Sequence, residues 1–265
     1  MARTNLNAAR IKPEVAALLT LRVLRSERLS PHFQRVTLGG GDAERFRPMG
    51  FDQWFRLFIP VAEDSLSRLP NKLDMMAYLK FLTIAKASRP VLRNYTVRAH
   101  RADGPELDVD VILHEPAGPA ATWARTCAPG DPVAILDEGV GFNPPAAVEE
   151  VRLVGDESAL PAIAGILASL PAHQRGHAVI EIPADEDRQP LTGPAGVEVT
   201  WLARSGAHAT PGVAALEFAR GLPPAAGPCY GWAAGEQALA TGMRRHWVAA
   251  GLPKDHIMFC GYWRA

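Results

Sequence analysis

The rhythm of apolar residues changes at Asn143-Pro144-Pro145-Ala146-Ala147, and that change divides the chain. Before it, short apolar runs alternate with glycine and proline turns: Leu21–Arg25, Phe33–Leu38, Gln53–Ile59, Arg93–Arg98, Leu107–Leu113 and Val133–Leu136. The Leu107–Leu113 run sets aspartates against apolar residues with period 2, the pattern of a strand with one apolar and one polar face. Many short strands, one short helix and such turns predict a small antiparallel barrel. After it, Val151–Val154, Ala178–Ile182, Val197–Leu202, Cys229–Ala234 and Ile257–Cys260 read as strands. Helical stretches after Gly155-Asp156, over Gly212–Ala219 and over Gly235–Ala250 separate most of them. This alternation predicts a parallel sheet with helices on both faces. Two domains follow, 1–143 and 148–265. Residues 61–90 form an insertion in the first, with apolar residues at helical spacing over Leu73–Leu82.

Charge and cysteine usage narrow the function. Lys+Arg 28 balance Asp+Glu 28, so no overall field favours nucleic acid or an anionic membrane. Cys127, Cys229 and Cys260 are dispersed and odd in number, against a disulfide framework, a zinc site or an iron–sulfur cluster. The apolar run Val15–Leu21 is broken by Thr20 and too short for a signal core or a membrane span, so the expected location is cytoplasmic. Neither a Gly-x-Ser-x-Gly elbow nor a His-Glu-x-x-His pair is present, which removes support for hydrolase chemistry and for a metal.

The chemistry-bearing stretch is Arg93-Asn94-Tyr95-Thr96. On a strand, Arg93 and Tyr95 share one face. A guanidinium grips phosphate through charge-assisted bonds, and a phenol offers an aromatic body with a polar tip, so the pair suits a flat anionic ligand. An ordinary amphipathic strand with an edge arginine has the same pattern. Gly118-Pro-Ala-Ala-Thr-Trp-Ala124 reads as a loop entering a helix, where small residues and unpaired N–H groups admit an anion.

Arg-x-Tyr-Thr between apolar residues resembles the flavin-binding strand of the ferredoxin-reductase superfamily. Asp108–His114 followed by Gly118–Ala124 resembles the second flavin segment of the siderophore-interacting proteins, bacterial ferric-siderophore reductases. Gly155-Asp-Glu-Ser-Ala-Leu-Pro-Ala-Ile163 and Gly261-Tyr-Trp-Arg264 are similar to further segments of that family, and Asp52-Gln53 with Arg56 to its Asp-Gln-x-x-Lys-Leu strand. Asp137–Phe142 departs from it, standing where the family more often shows Gly-Pro-x-Gly. The resemblance implies a six-stranded FAD barrel followed by an NAD(P)H-binding-like domain, in an enzyme that reduces siderophore-bound Fe(III). Arg93 would then hold the FAD pyrophosphate, and Tyr95 and Thr96 would line the isoalloxazine. Gly118, Ala120, Ala121, Thr122 and Trp123 would cover the phosphates. Asp110 and His114, the latter on the adenosine side, complete the set. Gly261 would bend the chain so that Tyr262 or Trp263 either stacks on the flavin or packs at the domain interface.

In open parallel sheets ligands bind beyond the carboxyl ends of the strands. That rule selects Gly155, Asp156, Glu157, Ser158, Arg204, Gly235 and Glu236 as candidates for the electron donor, although no Gly-x-Gly-x-x-Gly fingerprint is present. Ser158 reads as a helix cap or a nicotinamide contact, and Arg204 as a partner of a 2′-phosphate or a solvated arginine. NADH, NADPH and reduced ferredoxin all remain as donors. Arg56 and Arg264 are candidates for an anionic ferric siderophore, and a monomer is expected. Two alternatives stand beside this reading: a general NAD(P)H:flavin or quinone reductase, and a siderophore-binding protein without flavin.

Overall fold

The computed structural model describes residues 4–6, 10–14, 16–69, 81–85, 87–204, 206 and 209–265, which fall into two compact units. The first comprises Lys12–Met49 and Gln53–Gly139. It holds β1 (Leu18–Ser30), β2 (Phe33–Gly39), β3 (Trp54–Ile59), β4 (Val91–Thr96), β5 (Ala99–Arg101), β6 (Glu106–Ile112) and β7 (Pro132–Gly139), together with helix α1 (Pro119–Thr126). The strands form one antiparallel sheet in the order β4-β3-β7-β1-β2-β6-β5. Seven strands stand where the sequence predicts six, because the run from Arg93 is two strands. Val97 N donates to Gln53 O at 2.8 Å, whereas Arg98 N donates to Asp108 O at 2.9 Å. The chain thus changes partner at Val97-Arg98, with no glycine or proline to announce it, and links the two edges of the sheet into a barrel-like closure.

Inside, Leu19, Leu21, Val36, Leu38, Phe55, Leu57, Leu107, Val109 and Ile135 are buried, the inward half of the period-2 pattern. On the other face of β3 and β7, Phe58, Ala134 and Leu136 pack with Leu69 and Phe81 from the insertion. The helix expected over Leu73–Leu82 lies outside the described residues except at its end, where Phe81 meets Phe58 edge-on at 5.8 Å.

The second unit comprises Val140–Ala265, Gly50–Asp52 and the described residues of Met1–Ile11. Its strands are β8 (Glu150–Gly155), β9 (Arg175–Ile182), β10 (Gly196–Ala203), β11 (Cys229–Glu236) and β12 (Ile257–Trp263). They run parallel in the order β10-β9-β8-β11-β12, so the strand order reverses direction at β8 and β11. Helices α2 (Leu160–Ser169), α3 (Val213–Arg220) and α4 (Gln237–Ala249) accompany them. No helix among the described residues is long and apolar enough to cross a membrane.

Two short segments fall in this unit although the sequence boundary puts them in the other. Asn5 bonds to Ile257 and Phe259, and Ile11 bridges Val140. Asp52, fully buried, accepts Gly141 N at 2.9 Å, Phe142 N at 2.8 Å and the Trp232 indole at 2.9 Å. Such tertiary anchors carry no local sequence signal. β12 also continues through Gly261 to Trp263, with a register irregularity at Tyr262 in place of a bend that ends the strand. A Cβ at Gly261 would lie 3.2 Å from Gln237, so glycine here admits the start of α4.

Candidate functional site

β4 is an edge strand of the barrel, and its register places Leu57 opposite Arg93 and Phe55 opposite Tyr95. Arg93 and Tyr95 therefore share a face. Tyr95 is half-buried against the barrel core, and burial raises its phenol to about 12, so it stays protonated at neutral pH. Thr96 is buried opposite Trp54. Arg93 is exposed, donates to Leu92 O at 2.8 Å and makes no ion pair among the described residues.

Several other arginines of this unit are paired with carboxylates. Arg56 pairs with Glu138 at 2.7 Å. Asp110, buried, takes both guanidinium nitrogens of Arg35 at 2.7 and 2.8 Å, with Arg98 at 3.5 Å. Arg101 bridges Asp108 and Glu106. The Asp110 carboxylate is thus engaged by arginines, and any effect of it on a ligand passes through them.

Helix α1 packs on β4, β2 and β6 and starts from Gly118 with Pro119 in its first turn. Ala120, Ala121 and Ala124 are buried, Trp123 joins the barrel core, and Thr122 is exposed. Thr122 N donates to Gly118 O at 2.9 Å, while Ala120 and Ala121 precede the first intrahelical bond. The exposed His114 ring stands 3.6 Å from where a Gly118 Cβ would be. The first turn carries no acidic side chain. An exposed guanidinium, unpaired first-turn N–H groups and a phenol form a donor set that fits a diphosphate joined to a flat ring, as FAD is.

Two strands from Tyr95, on the far side of Phe55, is Asp137, whose buried carboxylate accepts Gln53 Nε2 at 2.8 Å and Gly139 N at 2.9 Å. Burial, with a lesser push from the charge of Glu138, outweighs the lowering effect of those hydrogen bonds and raises it to about 6. The folded state therefore binds this proton more tightly than the unfolded chain does. Its stabilising contribution is full below about pH 4 and is lost as pH rises through about 6. Asp137→Asn should gain on the wild type by on the order of 2 kcal/mol between pH 4.5 and 7, read as the difference in urea midpoints of the two proteins. A pH-independent difference would contradict the assignment.

The residue types of the two units identify the chain. A family model described as a siderophore-interacting FAD-binding domain matches residues 22–141, and one described as siderophore-interacting protein matches residues 148–265. The chain belongs to the siderophore-interacting protein family. An uncharacterized protein of Mycobacterium tuberculosis is 36% identical over 190 residues, covering 71% of this chain and 66% of that relative. The chain thus spans just under two thirds of that relative's length. The ferric vibriobactin reductase ViuB of Vibrio cholerae is 28% identical over 251 residues, 92% of this chain and 88% of that one. The crystal structure of a siderophore utilization protein from T. fusca superposes with a TM-score of 0.78 at 29% identity, covering 96% of both chains.

Open parallel sheets bind ligands beyond the carboxyl ends of their strands, and here the ends of β8, β9, β10 and β11 are dominated by carboxylates. Asp156 is fully buried. Arg204 donates to both Glu157 oxygens at 2.6 and 2.7 Å and to Glu181 at 3.2 Å, and its side chain is only 11% exposed. Two acids hold this arginine, which leaves it neither solvated nor free. Ser158 does not cap α2. The helix begins at Leu160, its N-cap position is Ala159 without a side-chain bond, and the Ser158 hydroxyl donates to Asp156 instead. Glu236 caps α4 by accepting from Ala238 N. Trp263 donates its indole N–H to Asp156 at 3.1 Å, and Arg264 is exposed. Sequence reasoning missed Glu181 and assigned no role to Asp52. A lone glutamate inside the apolar run Ala178–Ile182 was the available signal for the former.

Proposed function

We propose that this chain is an FAD-dependent reductase of ferric siderophores, working in the cytoplasm as a monomer. The reading rests on Arg93, an exposed arginine of β4 without an ion pair among the described residues, on a strand against which α1 packs. Arg93 and the first-turn N–H groups at Ala120 and Ala121 hold the diphosphate, and Gly118 keeps that approach clear of side chains. Tyr95 and Thr96 present the ring-facing surface. His114 and Trp123 bound the segment on either side of Gly118. When bound, FAD supplies the electron transfer that converts tightly chelated Fe(III) to weakly held Fe(II). No side chain need act as acid or base on the chelate. The ferric vibriobactin reductase ViuB of Vibrio cholerae, 28% identical to this chain, supports the substrate class. NADH, NADPH or reduced ferredoxin delivers the electrons, and Arg264, exposed, is the remaining basic candidate for an anionic chelate.

The purified protein should carry, or take up, a yellow flavin with its visible absorption. Anaerobic addition of NADH, NADPH or reduced ferredoxin should bleach it, and a ferric siderophore should restore the colour while a ferrous chelator traps Fe(II). A protein that stays colourless with added FAD would overturn the reading. Reduction of free flavins or quinones much faster than of any ferric chelate would assign it instead to the general reductases.

A further inference from the structure

Asp156, fully buried, accepts four hydrogen bonds. Its Oδ1 receives Ser158 N at 2.9 Å and the Ser158 hydroxyl, and its Oδ2 receives Glu236 N at 2.5 Å and Trp263 Nε1 at 3.1 Å. One side chain therefore ties together the turn after β8, the end of β11 and the end of β12. The fit is close. Gly235 adopts φ +128, and a Cβ there would lie 2.6 Å from the Asp156 carboxyl atoms, so β11 ends in glycine where this carboxylate enters. All three strand ends lie at the carboxyl edge of the sheet, where such folds bind ligands.

We infer that Asp156 is the positioning residue of the electron-donor site: it holds Trp263 in place as a wall of that site. The inference rests on the proposed reading of this edge as the place of a nicotinamide donor. Only an ionised carboxylate can accept all four donors, because a protonated one gives up an acceptor position to its own O–H. The charged and titratable groups near it are Glu157 on its own turn, itself held by Arg204, Glu236 at the end of β11 and Tyr262 on β12. Burial and then the charge of Glu157 raise Asp156 to about 7. Protonation of Asp156 therefore changes the hydrogen bonding that the Trp263 indole N–H reports.

Two measurements test this. In the wild-type protein the Trp263 indole N–H resonance, assigned by its loss in Trp263→Phe, should move between pH 6 and 8 and exchange faster with solvent at the acid end. Trp263→Phe removes the hydrogen bond and keeps an aromatic ring. It should raise KM for whichever of NADH and NADPH the wild type uses by about tenfold, with kcat within about threefold and FAD content unchanged. Asp156→Ala should do the same, and the double variant should be no worse than either single one. An indole resonance unmoved across this range would overturn the hydrogen-bonded hold whatever the donor proves to be. A moving resonance with unchanged KM in Trp263→Phe would overturn the positioning role. A wild type that binds neither dinucleotide would overturn the donor-site reading, and the role assigned to Trp263 with it.

Discussion

Arg93→Ala is expected to weaken FAD binding about a hundredfold, since a charge-assisted phosphate contact is commonly worth about 2–3 kcal/mol. The size follows from what Arg93 does without its ligand. It is exposed on β4 and has no carboxylate partner among the described residues, so its charge is available in full. Truncating it leaves no buried anion behind, and the barrel should keep its stability. Arg56→Ala is the control. Arg56 already meets Glu138 at 2.7 Å, so its loss should shift FAD affinity by about twofold or less, the scale of a partly exposed ion pair. Titrating both apo-proteins with FAD by flavin fluorescence decides the matter. Equal affinities for wild type and Arg93→Ala would move the diphosphate site elsewhere.

The contrast between these two arginines shows which part of the site the sequence could carry. Strand alternation alone places Arg93 and Tyr95 on one face, and the register with Phe55 and Leu57 realises it. Whether an arginine is free is a different kind of fact. It depends on residues far away in the chain, such as Glu138 for Arg56, or Asp110 for Arg35 across 75 positions. Arg204 illustrates the point most sharply. The alternatives in the sequence were a 2′-phosphate partner and a solvated loop residue, and neither announces the two glutamates, 47 and 23 positions away, that hold it.

Fold class was legible because it follows from periodicity, which is local. Strand and helix ends in the second unit shift by a few residues, as fraying and capping predict. The barrel's seventh strand was not legible, since Val97-Arg98 turns a corner by changing hydrogen-bond partner and needs no special residue to do so. The docking of Gly50–Asp52 in the second unit was equally silent. Asp52 looks like any strand-leading aspartate until Gly141, Phe142 and Trp232 converge on it, after which burial raises its pKa.

Glu181→Ala should cost the second unit about 3–5 kcal/mol. Glu181 stands at the end of β9, fully buried, and its oxygens accept Gly212 N at 2.8 Å and Ala215 N at 2.9 Å. Those amides open α3, whose N-cap residue is Gly212 and provides no side-chain cap. A carboxylate from a neighbouring strand therefore does what a serine or aspartate does at an ordinary helix start, and it meets the positive end of the helix dipole. The same side chain takes one of the three bonds that hold Arg204. Alanine would strand two buried N–H groups and weaken the restraint on Arg204, which would keep Glu157. Glu181→Gln retains one oxygen acceptor and should lose only about 1–2 kcal/mol. Four of the six tryptophans, Trp201, Trp232, Trp247 and Trp263, belong to this unit, so urea unfolding followed by tryptophan fluorescence reports mainly on it. Amide exchange at Gly212 and Ala215 should accelerate in Glu181→Ala more than exchange in the middle of β8. A Glu181→Ala midpoint equal to that of Glu181→Gln would mean that the helix start is held by other contacts, and that the carboxylate contributes little beyond its own burial.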